Sequence, residues 1–270
     1  MLCMSATSID QFVEAVKQTA IANKRWVPPI GKGALYLRPL LLGSGAVLGL
    51  APAPEYMFVI YASPVGNYFK EGLSPINLFI EPLVVAPELS KQSATMHLLV
   101  FFLKLLEYLF VSTRPVLVLK AQLMAKRRGF SDVLLLHSVN KRNIEEAASC
   151  NVFIVKDNNV STPSKEGTIL SAIMRKSIIE IARDHGYEVI SHFFMLVERS
   201  IPVEELLEAD EAFCTGTAVV VAPVGSITYR DKRIEYRTGA GTVSQTLYRR
   251  LTSIQMGLVE DIKGWTVEIE

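Results

Sequence analysis

The stretch FCTGTAVVVAPVG, from Phe213 to Gly225, consists of two halves of different character. We expect a loop in the first half, because glycine lets the backbone approach a ligand and hydroxyl side chains add hydrogen-bond donors. The second half is an apolar run rich in β-branched residues, which predicts a strand buried on both faces. The loop is compatible with an anion-binding backbone and, as the more frequent case, with a tight turn before a core strand. The residues alone leave both interpretations open.

Composition and charge narrow the class of protein. The 270 residues are 50% hydrophobic and 20% charged, with a formal net charge of +1. This is typical of a globular chain that folds as one large domain or two smaller ones, and it lacks the basic patch that nucleic-acid binding needs. The three cysteines (Cys3, Cys150 and Cys214) are scattered, which indicates a reducing compartment rather than a disulfide framework. Neither they nor the four histidines follow a metal-ligand spacing, so no metal site is predicted.

The N-terminus and one apolar stretch determine what we expect of compartment and membrane. Residues 1–5 contain no basic segment leading into a long apolar core, and the start of the chain is not Arg-rich over the length of a transit peptide. The chain as written is therefore expected in the cytosol. Residues 98–111 are apolar but carry Lys104 and Glu107, and they are shorter than the roughly 20 residues that span a bilayer. A buried or surface-docked helix is favoured there over a membrane-associated segment at residues 98–119.

Hydrophobic periodicity and turn residues predict a mixed α and β chain. A first helix capped by Ser8 or Asp10 is expected, followed by helices at residues 122–129, 177–184, 203–209 and 243–256. Strands are expected at residues 34–41, 57–62 (buried), 77–81, 132–136, 152–155, 219–221, 227–229, 234–236 and 265–269, with a turn at residues 161–163. This order favours antiparallel hairpins over repeated βαβ units and hence an α+β fold.

Two charged sites have more than one interpretation. Arg38 lies in an otherwise apolar strand, where a guanidinium must be paired, so it is either part of a structural ion pair or a ligand for a carboxylate. Glu145 and Glu146, taken alone, are typical of an exposed acidic pair.

Five motifs resemble those of a known family. They are GALYLRP at residues 33–39, APAPEY at 51–56, SPVGNYF at 63–69, EAASCN at 146–151, and the stretch from residue 213 to 229. In these motifs and their order, the chain resembles the branched-chain amino acid aminotransferases of the plant type, which are fold-type IV enzymes that use pyridoxal 5'-phosphate. The resemblance implies an α+β fold. Residues 1–70 would be the remnant of a small, truncated N-terminal α/β domain, and residues 71–270 a larger, mixed α/β pseudo-barrel domain that binds the cofactor.

The resemblance also implies an activity and partners. The enzymes it points to convert leucine, isoleucine and valine with 2-oxoglutarate into branched 2-oxo acids and glutamate. It further implies a homodimer that binds neither nucleic acid nor a membrane. Full-length plant members are often in plastids or mitochondria.

By the same resemblance, five residues would bind the cofactor. Glu146 matches the carboxylate that pairs with the pyridine nitrogen, and a negative partner keeps that nitrogen protonated. Ile173 and Met174 match the phosphate cup, where the N–H groups at the start of a helix meet an anion. Thr217 matches a phosphate-binding hydroxyl, and Ser149 completes the implied set.

Five residues are likewise implied to bind the substrate. Thr217 and Ala218 match the backbone donors for the α-carboxylate. Tyr36 and Arg38 match the pair that recognises the side-chain carboxylate of glutamate or 2-oxoglutarate, and Tyr68 matches an aromatic wall of the pocket for the branched side chain. One site must accept both kinds of side chain, which suits an apolar pocket with an arginine at its rim.

Residues 83–118 depart from the family. There the family carries a Schiff-base lysine with a Gly-Gly-Thr-Gly run and an Asn-Tyr-Ala, and this chain has neither motif. Lys91 and Lys104 stand in unrelated surroundings, and Lys120 matches the helix after the missing motif, so no catalytic lysine is assigned. The cofactor would then be bound non-covalently at best. The alternative prediction is therefore a truncated or mis-spliced, catalytically inactive member that at most dimerises with intact copies.

Smaller departures concern the start of the chain and single positions. The chain begins where the family's small domain is already half built, so an upstream phosphate-binding arginine would be missing. Ala172 and Met174 differ from the usual residues of the phosphate cup. Val219 and Ala222 stand where some animal members have a redox cysteine pair, so no such switch is predicted.

Overall fold

The described part of the chain forms two compact units. The computed structural model describes residue 5 and residues 7–30, 32–46, 51–66, 74–81, 118–137, 140–157, 159–164, 169–170, 172–184 and 195–269. One unit consists of Met1–Gly72 and Ile254–Glu270, and the other of Leu73–Ser253. We call them the smaller and the larger unit and describe each by itself.

The smaller unit contains one long helix and a two-stranded antiparallel sheet. Helix α1 (Ile9–Ala22) begins at a capping box in which Ser8 and Gln11 exchange side-chain and backbone hydrogen bonds. Strands β1 (Gly33–Ser44) and β2 (Glu55–Gly66) pair along their whole length. The buried strand predicted at residues 57–62 is wrong in its burial, because Met57 and Tyr61 are 54% and 47% exposed. An apolar run in a two-stranded sheet has few neighbours to cover both of its faces.

In the described residues, the larger unit contains a sheet of nine strands, six of which form a closed ring. The nine strands are β3 (Ile76–Glu81), β4 (Asp132–Leu136), β5 (Ile144–Ala147), β6 (Asn151–Lys156), β7 (Asn159–Thr162), β8 (Met195–Glu198), β9 (Glu211–Gly216), β10 (Val220–Tyr229) and β11 (Lys232–Glu235). Strand β9 pairs with both β6 and β10, so the order β10-β3-β4-β5-β6-β9 returns to β10. Strands β7, β8 and β11 extend the sheet beyond the ring. This confirms the mixed α and β fold class with a barrel-like larger part.

The helices of the larger unit lie between these strands. The described part of α2 covers residues 118–127, and α3 (Ile173–Arg183), α4 (Val203–Leu207) and α5 (Val243–Gln255) follow. Helix α5 starts beside the fully buried Glu211, which accepts a hydrogen bond from Val243 N at 2.9 Å and one from Arg237 at 2.7 Å. None of the helices in the described ranges is long and apolar enough to cross a membrane. Residues 98–111, where the sequence raised that question, lie outside these ranges.

The core of the ring contains a pair of stacked aromatic rings. Phe153 on β6 and Phe213 on β9 lie opposite each other, are fully buried, and stack with their centroids 5.0 Å apart and their planes 3° apart. Asn151 and Thr215 form a pair two positions away from Phe153 and Phe213 in the register. Because side chains alternate along a strand, this pair lies on the same face as the two rings. The stack therefore supports the polar pair beside it.

Several predicted element bounds are wrong. The expected loop at the start of the stretch from Phe213 is strand β9 as far as Gly216, and only residues 217–219 turn. The two strands expected at residues 219–221 and 227–229 are one continuous strand, β10. Residues 161 and 162 belong to β7 rather than to a turn, because their backbone pairs with β6 and β8. Residues 265–269 form no strand, and Thr266 instead donates backbone and hydroxyl hydrogen bonds to Asp261.

Candidate active site

Three polar residues lie in one row across neighbouring strands of the ring. Glu146 on β5 is paired with Asn151 on β6, and Asn151 is paired with Thr215 on β9. Directly paired residues point to the same face of a sheet. Glu146 is half-buried, whereas Asn151 is 4% exposed and Thr215 fully buried. The sheet therefore presents a carboxylate, an amide and a hydroxyl side by side.

The Glu146 carboxylate is held by two donors on one oxygen. Asn151 Nδ2 donates to Glu146 Oε2 at 3.1 Å, and the backbone N–H of Leu170 donates to the same oxygen at 3.1 Å. Both contacts favour the ionised carboxylate, which can only accept hydrogen bonds. The exposed acidic pair expected from the residues alone is wrong, because Glu145 is buried and Glu146 carries these contacts.

Leu170 joins this carboxylate to the start of helix α3. Its carbonyl oxygen accepts hydrogen bonds from Asn151 Nδ2 at 3.0 Å and from the backbone N–H of Ala172 at 2.9 Å. Ala172 is the N-cap of α3, which begins at Ile173 and therefore leads with Ile173 and Met174, as the resemblance placed them. The N-cap has no side chain to accept from the first turn, and that turn contains no acidic residue. The first N–H groups of a helix in this state favour an anion.

Arg175 links the first turn of α3 to Pro163 and to Glu198 on β8. Its side chain is fully buried, and Nη2 donates to the Pro163 carbonyl at 2.7 Å and to Glu198 at 3.0 Å. Arg183, two turns later and 54% exposed, reaches the same carboxylate at 3.4 Å. The buried contacts fix where the N-terminus of α3 lies relative to the sheet.

The turn after β9 follows this row in the chain and contains two exposed residues. Thr217 and Ala218 are both exposed, and Gly216 before them is buried. A Cβ at Gly216 would lie 3.0 Å from Cys150 Sγ and 3.4 Å from the Ser149 carbonyl oxygen, so only glycine fits without movement. Val220 after the turn has φ = 58°, a left-handed backbone that is rare for a β-branched residue and costs about 1–3 kcal/mol.

Ser149 directs its hydroxyl at a buried carboxylate. Ser149 Oγ lies 3.0 Å from Asp132 Oδ2, and Asp132 also accepts from Gln122 Nε2 at 3.1 Å and from Val133 N at 2.8 Å. A carboxylate only accepts, so the single hydroxyl hydrogen of Ser149 is donated to Asp132. In this rotamer the Ser149 side chain offers an anion no donor, and its hydroxyl instead links the turn between β5 and β6 to Asp132 on β4.

Two thiols near the turn after β9, those of Cys150 and Cys214, are kept protonated by burial. Burial raises the pKa of the Cys150 thiol, and its contact with Ser149 opposes that effect only in part. Cys214 is fully buried, and burial raises its pKa well above the ordinary value. Neither thiol is therefore a nucleophile at neutral pH.

The Thr215 hydroxyl is a buried polar group without a partner among the described residues. Such a group costs about 1–3 kcal/mol unless something hydrogen-bonds to it. It lies in the row with Glu146 and Asn151, so a polar molecule bound there could engage it. A carboxylate, a nearby helix N-terminus and a turn with two exposed residues, Thr217 and Ala218, together fit a phosphorylated, protonated pyridine ring. The residues present thus fit pyridoxal 5'-phosphate.

The pair expected to recognise the side-chain carboxylate of the substrate, Tyr36 and Arg38, lies in the smaller unit. On β1, Arg38 Nη2 donates to the Tyr36 hydroxyl at 2.5 Å, and the guanidinium carbon lies 5.1 Å from the centre of the Tyr36 ring. Arg38 is exposed and Tyr36 half-buried. Of the two interpretations of Arg38, the structural ion pair is not supported within the described residues, because the guanidinium contacts the Tyr36 phenol rather than a carboxylate. Tyr68 lies outside the described residues.

Sequence reasoning missed three contributors to this site. Leu170 acts only through its backbone, so its side chain carries no signal. Asn151 ends one of the motifs and Asp132 begins an expected strand, but neither was assigned a role in the site. The spacing of Glu146 and Asn151 around a short turn could have indicated that they face each other.

Comparisons with known proteins show which family this chain is similar to. A family model described as amino-transferase class IV matches residues 110–227. Branched-chain amino acid aminotransferase 1, mitochondrial, of Humulus lupulus is 56% identical over 100% of this chain and 63% of its own length. Branched-chain-amino-acid aminotransferase 6 of Arabidopsis thaliana is 52% identical over 100% of this chain and 69% of its own length. The chain thus spans less than two thirds of the hop protein.

Among solved structures, the chain is similar to the branched-chain amino acid aminotransferase of Escherichia coli. That structure is 25% identical in sequence, with a TM-score of 0.74. The match covers 99% of this chain and 78% of the bacterial one. The similarity extends over both units.

Proposed function

This chain belongs to the branched-chain amino acid aminotransferases, and on that premise we propose that it transfers the amino group of leucine, isoleucine or valine to 2-oxoglutarate. The cofactor would be pyridoxal 5'-phosphate, bound in the larger unit. The observation that carries the proposal is the hydrogen-bonded link from the Glu146 carboxylate through Leu170 to Ala172 at the start of α3. This link holds Glu146, which would meet the ring nitrogen, close to the N-terminus of α3, which would meet the phosphate.

The residues that would hold the cofactor each have a suitable chemical character. Glu146 would meet the ring nitrogen, and the N–H groups of Ile173 and Met174 would meet the phosphate together with the Thr217 hydroxyl. When bound, pyridoxal 5'-phosphate supplies an electron sink for the charge left on a substrate Cα that loses its proton. A carboxylate beside the ring nitrogen keeps that nitrogen protonated and so strengthens the sink. Ser149 remains a predicted contact, which requires its hydroxyl to leave Asp132.

The charge balance around α3 supports an anion site. The first turn of α3 has no acid and no side-chain cap, so the positive partial charge of its N–H groups is not balanced by a side chain of that turn. The Arg175 charge is balanced by Glu198 behind the helix. A phosphate would therefore meet backbone donors rather than a free cation.

Substrate carboxylates would be recognised by two kinds of donor. The exposed Thr217 and Ala218 would orient the α-carboxylate through backbone N–H groups. In the smaller unit, Arg38 donates from Nη2 to the Tyr36 hydroxyl, and its other N–H groups would bind the side-chain carboxylate of glutamate. Tyr68 remains the predicted wall for the branched side chain. A homodimer also remains a prediction.

Proton movement at the substrate requires a lysine. Residues 83–118, where the family carries it, contain Lys91 and Lys104 but neither of the family's motifs. The alternative candidate is therefore a chain that keeps the scaffold and binding residues but does not catalyse transamination. That alternative rests on this one stretch of sequence.

One experiment separates the two candidates. The purified chain is mixed with pyridoxal 5'-phosphate, its visible spectrum is recorded before and after borohydride, and modified peptides are mapped alongside an assay with leucine and 2-oxoglutarate. The active enzyme should show a visible band that borohydride removes, cofactor fixed to one lysine, and turnover. A Lys120→Ala variant is the control, because this exposed lysine on α2 is assigned no role. Cofactor bound without a fixed lysine and without turnover would instead establish the inactive form.

A further inference from the structure

We propose that Asn151 is a positioning residue, which holds the Glu146 carboxylate in the orientation that a protonated ring nitrogen needs. The inference rests on the proposed function, because it assumes that Glu146 meets the ring of pyridoxal 5'-phosphate. It adds a residue that lies next to the reacting groups without touching them. Asn151 acts through Glu146 and is not itself a ligand.

The amide of Asn151 uses both of its hydrogens on oxygens of the site. Nδ2 donates to Glu146 Oε2 at 3.1 Å and to the Leu170 carbonyl at 3.0 Å. The rotated amide would bring its own oxygen against these two acceptors, so only the donating orientation is stable. Since Asn151 is 4% exposed, water competes little for these contacts.

Leu170 completes a cyclic hydrogen-bond network with Glu146 and Asn151. Its N–H donates to Glu146 Oε2 at 3.1 Å while its carbonyl accepts from Asn151, so three residues share three hydrogen bonds. The bond to the Leu170 carbonyl anchors the amide, and the anchored amide then fixes the carboxylate. Neither a residue with one donor nor an acidic residue can make both contacts.

Sheet register explains why residue 151 carries this role. Asn151 is the first residue of β6 and is paired with Glu146 across the β5–β6 turn. On its other side it is paired with the buried Thr215, next to the stacked rings of Phe153 and Phe213. The amide is therefore carried by a paired strand of the six-stranded ring and not by a loop, which favours a precise position.

The test measures binding of two ligands to the full chain and its variants. The first ligand is pyridoxal 5'-phosphate, and the second is its analogue with carbon in place of the ring nitrogen. Asn151→Ala should weaken binding of the first about tenfold to a hundredfold, the range expected for losing a hydrogen bond to a charged group. The analogue cannot pair its ring with Glu146, so its affinity should fall much less. An equal fall for both ligands would overturn the inference, because it would indicate a purely structural role.

A double-variant cycle provides a second readout. If Asn151 acts through Glu146, Asn151→Ala should weaken pyridoxal phosphate binding much less when Glu146→Gln is already present. Independent, multiplicative effects would contradict the proposal. If the alanine variant does not fold, Asn151→Gln and Asn151→Asp are compared instead. Gln keeps the donors and should bind the cofactor more tightly than Asp, which places a second carboxylate beside Glu146; equal affinities would overturn the inference.

Two controls separate this inference from the proposed function. Asn159→Ala removes an exposed amide on β7 and should leave both affinities unchanged. If the unaltered chain binds pyridoxal 5'-phosphate but Asn151→Ala shows no selective loss, only the inference fails. If the unaltered chain binds neither ligand, the proposed function fails and the inference with it.

Discussion

Asn151 lies directly opposite Thr215 in the register of β6 and β9, yet the two side chains differ in how they are satisfied. The Asn151 amide donates to two oxygens, whereas the Thr215 hydroxyl has no hydrogen-bond partner among the described residues. A second fully buried threonine, Thr162, donates its hydroxyl to the Val152 carbonyl at 2.8 Å. The two threonines form a matched pair for measuring what an unpaired hydroxyl costs.

Without added cofactor, Thr215→Val should raise the free energy of unfolding by about 1 kcal/mol, because valine has the same shape and no unpaired hydroxyl. Thr162→Val should lower it by about 1–3 kcal/mol, because the Val152 carbonyl loses its donor. Urea unfolding of both variants measures this. A loss at Thr215 as large as that at Thr162 would mean that the Thr215 hydroxyl does have a partner in the cofactor-free chain.

Arg175→Met should lower the free energy of unfolding by about 1–3 kcal/mol, because the Pro163 carbonyl and the Glu198 carboxylate lose the buried donor Nη2. Arg183→Ala serves as the control, since Arg183 contacts the same Glu198 from an exposed position, where ion pairs contribute about 0–1 kcal/mol. Chemical unfolding with near-UV circular dichroism compares the two. Similar losses for both variants would contradict the anchoring role of Arg175.

Gly216→Ala should lower the free energy of unfolding by about 1–3 kcal/mol, because its Cβ would press on Cys150 Sγ. Adding Cys150→Ala should restore part of the loss by removing the sulfur. Gly66→Ala is the control, because a Cβ there meets no atom within 4 Å. Thermal unfolding measures all three, and the close approach would be disproved if Gly216→Ala were as harmless as Gly66→Ala.

The Cys214 thiol should make the fold less stable at alkaline pH. Burial raises its folded pKa well above the ordinary 9.0, so above that pH the unfolded chain loses a proton that the folded chain keeps. The stability from this thiol is therefore complete below pH 9 and decreases above it, by about 1.4 kcal/mol at pH 10. Urea unfolding at pH 8 and pH 10 should show this extra decrease in the unaltered chain and not in Cys214→Ala. Equal decreases would place Cys214 in contact with water.

Local sequence predicted the strands of the ring better than its turns. Residues 132–136 and 152–155 form strands as expected, because continuous apolar runs signal strands buried on both faces. Residues 161–163 were expected to turn because Ser-Thr-Pro favours turns locally. They are strand up to Thr162 because pairing with β6 and β8 outweighs local preference, and such pairing comes from residues distant in sequence.

The candidate site was predictable only in part for the same reason. The motif around Glu146 and the start of α3 could be found from the residues and their resemblance to a family. The link between them runs through the backbone of Leu170, whose exposed side chain gives no hint of it. The Ser149 hydroxyl is not free, because it donates to Asp132, and only the fold brings these two residues together.

Strand β3 lies between two parallel neighbours, β4 and β10, and the second is paired through contacts such as Val224 with Ile76, more than half the chain length away. During synthesis, β3 therefore leaves the ribosome long before β10 is made. Likewise, β6 is made before its partner β9. Until then, both strands present unpaired backbone edges that can join those of other chains. Contacts between such distant residues also slow folding. The length of time for which the ring stays open should therefore limit how much of the newly made chain reaches its folded form.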